Sequence, residues 1–212
     1  MIEKKEGWQC RVELYKDYVI KRRKTLEETK QKIMRYFILN GKSIREVDAE
    51  AHRVQCDYDE SLKIIQKSKC PKKLIGNPIF CSDGRIRQDR ALMLRDAFNE
   101  ADKKDDEIFG RQLIDGYKNL VHELWRYGIH EKVWNFGVNN GVLNGLVVLI
   151  DFLELSDDTA KIIKQLEEKR WENSYSIKKD LPHHYLSYFL QCANKAFTPD
   201  YFSKLWKSAR NE

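Results

Sequence analysis

Alternating apolar and polar positions mark the first elements of the chain. Between Gly7 and Arg23, the segment VELYKDYVIK alternates on both sides of Lys16-Asp17, a pattern that predicts two antiparallel strands joined by a turn. The next segment, LEETKQKIMRYFIL, changes to helical spacing. Thr25 precedes it as a candidate N-cap, and Asn40-Gly41 follows it as a stop signal, so a helix is predicted here.

A second helix is predicted from Ser43 to about Lys67. Its apolar positions share one stripe at helical spacing: Ile44, Val47, Ala51, Val54, Tyr58 and Ile65. Pro71 ends this helix. The segments KKLIGNPIF and GRIRQDRALML then predict two further strands, joined by a turn at residues 82–84.

From Arg95 onward the pattern becomes mainly helical. A charged connector, NEADKKDDE, leads into a helix predicted from about Ile108 to Tyr127. Short strands are predicted at 135–138 and 146–150 around an Asn-Asn-Gly turn, followed by helices at 157–171, 182–196 and 199–208. The predicted fold class is α+β, with a strand-rich lobe at 1–94 and a helical lobe at 95–212 that together form one domain around a cleft.

Composition limits the possible classes of protein. The chain has 212 residues, of which 42% are hydrophobic and 34% charged, as expected of a globular protein with one core. The N-terminal MIEKKEGW lacks the apolar run of a signal peptide, and the longest apolar stretch, 146–150, is too short to cross a bilayer. We therefore expect a cytoplasmic protein with no membrane partner.

Charge and cysteine content favour neither a nucleic-acid partner nor a structural metal. The net charge is +6, but the basic residues are interleaved with 33 acidic ones along the chain, so nucleic acid is not the expected partner. Five cysteines without a CxxC pair favour neither a disulfide framework nor a zinc site. The motif HELWR begins like a zinc-protease helix, but Arg126 stands where the second His is required.

The order of the predicted elements resembles the protein-kinase fold, and most closely that of small bacterial kinase-like proteins such as the YrbL-type group. The features that carry the resemblance are the strand YVIK, a long helix with an acidic residue beside its buried stripe, two strands, a long helix, an Asn-containing loop, a hairpin and the sequence IDF. They span Gly7 to about Leu155. The resemblance implies a small antiparallel-sheet N-lobe, a reduced helical C-lobe, and ATP and Mg²⁺ as cofactors.

The resemblance implies a phosphate-binding group in the N-terminal part. Lys21 of YVIK matches the strand lysine that contacts the α- and β-phosphates. Glu50 borders the buried stripe of the second helix and is the expected carboxylate partner of Lys21, in preference to Glu46 and Glu60. The loop that covers the phosphates is reduced to EGWQCRV, in which Gly7 alone allows a close backbone approach.

A metal-binding pair is implied further along the chain. Asn135 and Asp151 match the Asn and Asp that hold Mg²⁺ in kinases, because hard cations prefer carboxylate and amide oxygens. Phe152 completes an Asp-Phe pair, while Leu153 stands in place of the usual Gly.

The catalytic loop departs from the kinase pattern. His130 stands five residues before Asn135, where a kinase has its catalytic Asp, and Lys132 occupies the position of the conserved lysine. His130 could accept a proton at neutral pH, and Glu131 could replace it if the loop is shifted by one residue. Two functions therefore stay open: an atypical ATP- and Mg²⁺-dependent phosphotransferase with an unidentified acceptor, or a pseudokinase that binds nucleotide or a protein partner without turnover.

Overall fold

The computed structural model describes residues 3–208. The first part of the chain contains β1 (Glu3–Glu6), β2 (Cys10–Leu14), β3 (Tyr18–Arg23), α1 (Leu26–Leu39), α2 (Val47–Lys67), β4 (Ile79–Phe80), β5 (Ile86–Asp89) and β6 (Leu92–Met93). The rest contains α3 (Leu94–Lys103), α4 (Glu107–Arg126), β7 (His130–Glu131), α5 (Phe136–Asn139), β8 (Asn140–Leu143), β9 (Leu146–Leu149), β10 (Leu155–Ser156), α6 (Thr159–Glu167), α7 (Tyr175–Asp180), α8 (His183–Ala196) and α9 (Pro199–Ser208).

Strands β1 to β5 form one antiparallel sheet, in which they are arranged in the order β1-β2-β3-β5-β4. The predicted hairpin is confirmed as β2 and β3, whose turn is closed by the amide of Tyr15 donating to the carbonyl of Tyr18 at 2.9 Å. Strand β1 was not predicted because its sequence, EKKE, is entirely polar and all four residues are exposed. Sheet pairing, and not apolar alternation, makes this segment a strand.

Helix α1 begins after Thr25, the predicted N-cap, which forms a capping box with Glu28. The hydroxyl of Thr25 accepts from the amide of Glu28 at 3.2 Å, and the Glu28 carboxylate accepts from the amide of Thr25 at 2.8 Å. The predicted stripe of α2 is buried at five of its six positions. Ile44 is the exception, with 59% of its surface exposed, because it lies in a short 3₁₀ helix before α2 begins.

The segment from 71 to 103 differs from its prediction. KKLIGNPIF forms a 3₁₀ helix at Lys72–Ile75 and only the two-residue strand β4. The second predicted strand is divided into β5 and β6, and β6 pairs with β8 instead of with the sheet. The predicted charged connector is wrong: most of it lies in α3, whose buried face is made by Leu94, Ala97, Phe98 and Ala101. The charged residues that suggested a connector lie on the other side of this helix.

The loop after α4 and the hairpin that follows it also differ from their prediction. The strand predicted at 135–138 is wrong, because Phe136–Asn139 forms one helical turn, α5. The hairpin consists of β8 and β9, and it turns at Asn144-Gly145 instead of at the Asn-Asn-Gly segment. Both turn residues have positive φ, 50° and 77°, as a type I′ turn requires. Gly141 is needed for another reason: a Cβ there would lie 2.7 Å from the carbonyl oxygen of Leu92 on β6.

The C-terminal helices follow the predictions except at one place. α8 and α9 occupy the predicted ranges. The helix predicted at 157–171 ends earlier, as α6, and is followed by a 3₁₀ helix at Arg170–Asn173 and by α7, which was not predicted. Lys169, with φ of 45°, marks the break between α6 and the 3₁₀ helix. A side chain in this left-handed conformation is incompatible with a continuing α-helix.

One core connects the strand-rich and the helical parts. It includes Cys10 of β2, Ile86 of β5 and Phe152 after the hairpin. Every helix from α2 to α9 also contributes apolar residues to it. A second, smaller cluster joins α1 to the first half of α2. Trp125 and Trp134 are buried, and all five cysteines are free thiols. The fold is α+β, a small five-stranded antiparallel sheet with a mostly helical remainder, and this arrangement is compatible with two lobes.

No helix between residues 3 and 208 has the length and apolar character needed to span a membrane.

Candidate functional site

Lys21 lies at the meeting point of the sheet and the β8–β9 hairpin. It is on β3, between β2 and β5, and its side chain is only 9% exposed. Its ammonium group donates to the carbonyl of Ile150 at 2.6 Å and lies 3.4 Å from a carboxylate oxygen of Asp151. It also lies 5.5 Å from the centre of the Phe152 ring. The structure thus brings together Lys21 and Asp151, two predicted site residues 130 positions apart.

Glu50 is not the partner of Lys21. Its two carboxylate oxygens accept from Arg53, one turn along the same helix, at 2.6 and 2.8 Å. The hydrogen bond and charge of this guanidinium lower the pKa of Glu50. The predicted Lys21–Glu50 pair is therefore wrong in this conformation. Periodicity placed Glu50 on the edge of the buried stripe correctly, but it could not show that Arg53 lies on that same edge.

Asp151 and Asn135 are connected through a residue that the sequence analysis did not select, Asn139. The carbonyl of Asn139 accepts from the amides of Ile150 and Asp151 at 2.8 and 3.0 Å, which fixes the backbone at the end of the hairpin. The Asn139 side chain accepts from the Asn135 amide group at 3.2 Å and donates to Glu131 at 2.8 Å. Asn139 is 3% exposed, whereas the Asp151 side chain is 43% exposed and faces accessible space.

His130 is a buried structural residue. Its Nδ1 accepts from the indole N–H of Trp125 at 3.1 Å, and its Nε2 lies 3.1 Å from the side-chain oxygen of Gln165. Because an indole can only donate, the ring proton must be on Nε2, where it is donated to Gln165. Burial lowers the pKa of His130 to about 4. Both ring nitrogens are occupied inside the core, so this conformation does not support the prediction that His130 is a catalytic base.

Lys132 is held by helix α2. Its ammonium group lies 2.8 Å from Asp57 and 3.4 Å from Glu60. Burial by itself would lower the pKa of Lys132, but the hydrogen bond and charge of Asp57, with those of Glu60, outweigh it and raise that pKa. Lys132 is thus a charged link between the loop and α2, a position in which it is not free to assist an acceptor.

Gly7 does not present a free amide. Its N–H donates to the carbonyl of Cys10 at 2.9 Å, and its carbonyl accepts from Lys24 at 2.7 Å. The Lys24 side chain is completely buried and also lies 2.9 Å from Glu6. The prediction that Gly7 cradles a phosphate is therefore not supported by this conformation. The neighbouring Gln9 reaches the hairpin instead and donates to the carbonyl of Leu153 at 2.8 Å.

Two further carboxyl groups lie beside the predicted residues. Burial raises the pKa of Glu131 to about 7, and the hydrogen bonds from the Asn135 amide and from Asn139 oppose this effect only in part. Burial and the negative charges of Asp151 and Asp57 also raise the pKa of Glu154 to about 7. The sequence signal for Glu154 is its place three residues after Asp151 in IDFLE, and Glu154 was not among the predicted site residues.

Two grooves lie beside Lys132, and neither of them is lined by Lys21, Asn135 or Asp151. A groove of about 590 Å³ opens between α2 and α6, and a second of about 480 Å³ lies between Lys132 and Ser174. In the described part of the chain, no group of three or more His, Cys, Asp or Glu side chains is arranged to hold a metal ion. A Mg²⁺ ion held by Asp151 and Asn135 would need further oxygens from a bound phosphate, which is the usual situation for Mg²⁺ in nucleotide sites.

None of the models of known protein families matches this sequence, and the search of curated proteins gives no significant match.

Proposed function

We propose that this protein is a kinase-like nucleotide-binding protein in which Lys21 and Asp151 contact Mg·ATP, and that it acts as a pseudokinase, without phosphoryl transfer. The observation that carries the proposal is the meeting of Lys21 with the Ile150–Asp151 backbone and carboxylate. In kinases the strand lysine and the Asp of the Asp-Phe segment approach the same phosphates, the lysine directly and the Asp through Mg²⁺.

The order of elements supports the same proposal. β3 carries the lysine, α2 follows it, and α4 precedes a loop and the hairpin that ends at Asp151. The loop after α4 begins with β7. This strand pairs with β10, which follows Asp151 in the chain. This pairing holds the loop and the segment after Asp151 at one place, so that residues from both reach the same region.

Binding without turnover is favoured by the state of the loop. His130 is neutral, buried and doubly hydrogen-bonded. Lys132 is paired with two carboxylates of α2. A general base must lie within hydrogen-bond reach of the proton that it removes, and neither residue is available for this.

One observation favours the alternative, an atypical ATP- and Mg²⁺-dependent phosphotransferase. Glu154 is partly exposed, its pKa is raised to about 7, and it lies close enough to Asp151 to feel its charge. A carboxyl group with this pKa is matched to proton transfer near neutral pH. In this alternative Glu154 takes the place of the missing catalytic Asp.

Isothermal titration with ATP, in the presence and absence of Mg²⁺, tests the proposal. We expect binding that Mg²⁺ strengthens. Lys21→Ala should weaken it about ten- to a hundredfold, since a hydrogen bond to a charged group contributes about 1.5–3 kcal/mol. Asp151→Asn should remove the effect of Mg²⁺. Glu50→Gln is the matched control, because Glu50 pairs with Arg53 and should leave binding unchanged.

The outcomes separate the hypotheses. No binding of ATP to the parent protein, with or without Mg²⁺, would exclude the nucleotide site. Loss of binding in Glu50→Gln equal to that in Lys21→Ala would contradict the assigned geometry. Steady ATP consumption that is abolished by Glu154→Gln would replace the pseudokinase proposal with the phosphotransferase.

A further inference from the structure

A basic groove of about 490 Å³ lies on the outer face of the five-stranded sheet, along helix α1. Seven basic and three acidic side chains line it. The basic residues are Lys4, Lys5, Arg11, Arg22, Lys32, Arg35 and Arg85. The sequence does not reveal this concentration of charge. The seven residues come from β1, β2, β3, α1 and the turn before β5, which are separated along the chain.

The groove lies on the opposite side of the sheet from the site around Lys21. Successive side chains of a strand point to opposite faces, so Ile20 and Arg22, which line the groove, point away from the face that Lys21 occupies. Lys21 is buried against the hairpin, whereas Arg22 is exposed. A ligand in the groove would therefore not contact Lys21 or Asp151.

Positive charge in the groove is only partly neutralised. Arg11 and Arg22 are direct cross-strand neighbours, an arrangement of like charges that destabilises a sheet. Both guanidinium groups contact the same oxygen of Glu28, at 2.7 and 2.9 Å. The other oxygen of Glu28 accepts from the amide of Thr25 at the start of α1. One carboxylate thus serves two arginines and a helix cap.

Helix α1 adds further cations to the same groove. The ammonium group of Lys32 lies 3.7 Å from a carboxylate oxygen of Glu6. Between residues 3 and 208, the exposed side chain of Arg35 has no hydrogen-bond or ion-pair partner. Lys32 and Arg35 are three residues apart on the helix, so their side chains lie next to each other. Together with Arg11 and Arg22 they form a set of donors around one space.

We propose that this groove binds a multiply phosphorylated anion, either a free polyphosphate compound or a phosphorylated lipid headgroup. A guanidinium presents a planar set of donors that matches phosphate oxygens, and two neighbouring ones can hold adjacent phosphates. The volume is in the range of small-ligand sites. The groove residues include no aromatic side chain, so bases have no surface on which to stack, and recognition rests on the phosphates.

Calorimetric titration with inorganic tripolyphosphate tests this inference at two salt concentrations. We expect saturable binding that is weaker at the higher salt. The double variant Arg11→Gln/Arg22→Gln should bind at least about tenfold more weakly. The single variant Arg35→Gln should also bind more weakly, and it breaks no hydrogen bond or ion pair among residues 3–208. The matched control is Arg45→Gln/Arg126→Gln, which removes two charges outside the groove.

Two further arms complete the experiment. Lys21→Ala should retain the tripolyphosphate binding that the groove variants lose, which separates this groove from the nucleotide proposal. Sedimentation with vesicles of phosphatidylcholine, with or without phosphatidylinositol bisphosphate, identifies the source of the phosphates. Vesicle binding that is lost in the groove variants supports a lipid headgroup, and binding of tripolyphosphate alone supports a free anion. Absence of saturable binding to either probe, or equal losses in the Arg45/Arg126 control, would overturn the inference.

Discussion

At the scale of single residues, burial decides which side chains of this chain can do chemistry. His130 and Glu131 are neighbours, and both are buried. Burial disfavours the charged form of each, so it lowers the pKa of the histidine and raises that of the glutamate. The two residues therefore affect stability in opposite pH directions.

The substitution His130→Gln tests the neutral buried histidine. An unfolded histidine has a pKa near 6.5 and native His130 about 4, so the folded parent loses stability as pH falls from 6.5 to 4, by roughly 3 kcal/mol in all. The His130→Gln variant has no ionisable group at this position, so this loss of stability at low pH does not occur in it. At pH 7 it should be less stable by about 1–3 kcal/mol, because its contacts to Trp125 and Gln165 are lost. The difference should shrink as pH falls.

Urea unfolding of both proteins at several pH values measures this change. His183→Gln, at an exposed position, is the control and should differ from the parent by less than about 0.5 kcal/mol at every pH. A difference between parent and His130→Gln that stays constant from pH 7 to pH 4 would mean that native His130 is not protected from protonation.

Glu131→Gln should give the opposite pH dependence. Native Glu131 has a pKa of about 7, against 4.5 for an ordinary glutamate, so the parent loses stability as pH rises from 4.5 through 7. Glutamine keeps an oxygen that can accept from Asn135 and Asn139 but carries no charge. The variant should therefore gain stability relative to the parent over this interval.

Chemical denaturation at pH 5 and pH 8 shows whether this gain occurs. Glu107→Gln, at an exposed position on α4, is the control for removal of one negative charge. A relative stability of Glu131→Gln that falls between pH 5 and pH 8 would contradict a buried carboxyl group with a raised pKa.

At the scale of elements, the helical part depends on close contacts that periodicity does not specify. Helix α4 crosses α8 at Gly110, where a Cβ would lie 2.1–2.5 Å from the ring of Tyr185. The Tyr185 hydroxyl donates to the carbonyl of Asp106, just before α4, at 3.3 Å. Gly110 therefore allows the two helices to approach closely and lets Tyr185 reach the start of α4.

A double-mutant cycle at Gly110 and Tyr185 measures this helix contact. Gly110→Ala should destabilise the parent by about 1–3 kcal/mol, as overpacked core substitutions do. In a Tyr185→Ala background the space is open, and the same change should cost much less or become favourable, because alanine has the higher helix propensity. Equal effects of Gly110→Ala in both backgrounds would show that the helices do not meet at these residues. Thermal unfolding followed by circular dichroism gives all four stabilities.

At the scale of the whole molecule, the single large core predicts how the protein opens. Residues of β2, β5, α2 and α4 belong to that core, and β3 is paired between β2 and β5. Helix α1 instead contributes to the small cluster around Ile33 and Phe37. Elements that share a core open together, and those with few buried contacts open at lower free energy.

Native-state hydrogen exchange, read by mass spectrometry, tests this organisation. Amides of β3 and α4 should exchange with the same, highest free energy of opening, and amides of α1 with a lower one. The comparison is made after correction for the intrinsic exchange rate of each peptide. Helix α4 opening at a free energy well below that of β3 would show that the two parts of the chain are separate cooperative units.

Local signals in the sequence determined much of the fold. The capping box at Thr25, the turn at Lys16-Asp17 and the helical spacing of α2, α4, α8 and α9 depend on residues close together in the chain, so the predictions made from them are confirmed. The errors fall where tertiary contacts outweigh local preference. EKKE becomes a strand through pairing with β2, and a charged segment becomes α3 because its few apolar residues pack into the core.

The candidate site was predicted in part, for the same physical reason. Residue type and chain order were enough to select Lys21 and Asp151, which the structure brings together. Which neighbour forms an ion pair or hydrogen bond with a given side chain depends on distances in the folded structure. Glu50 forms an ion pair with Arg53, and Lys132 forms one with Asp57. His130 is hydrogen-bonded to Trp125 and Gln165. The sequence by itself determined which residues have the chemistry to act, and the tertiary structure decided which of them are free to act, because burial and pairing set both charge and access.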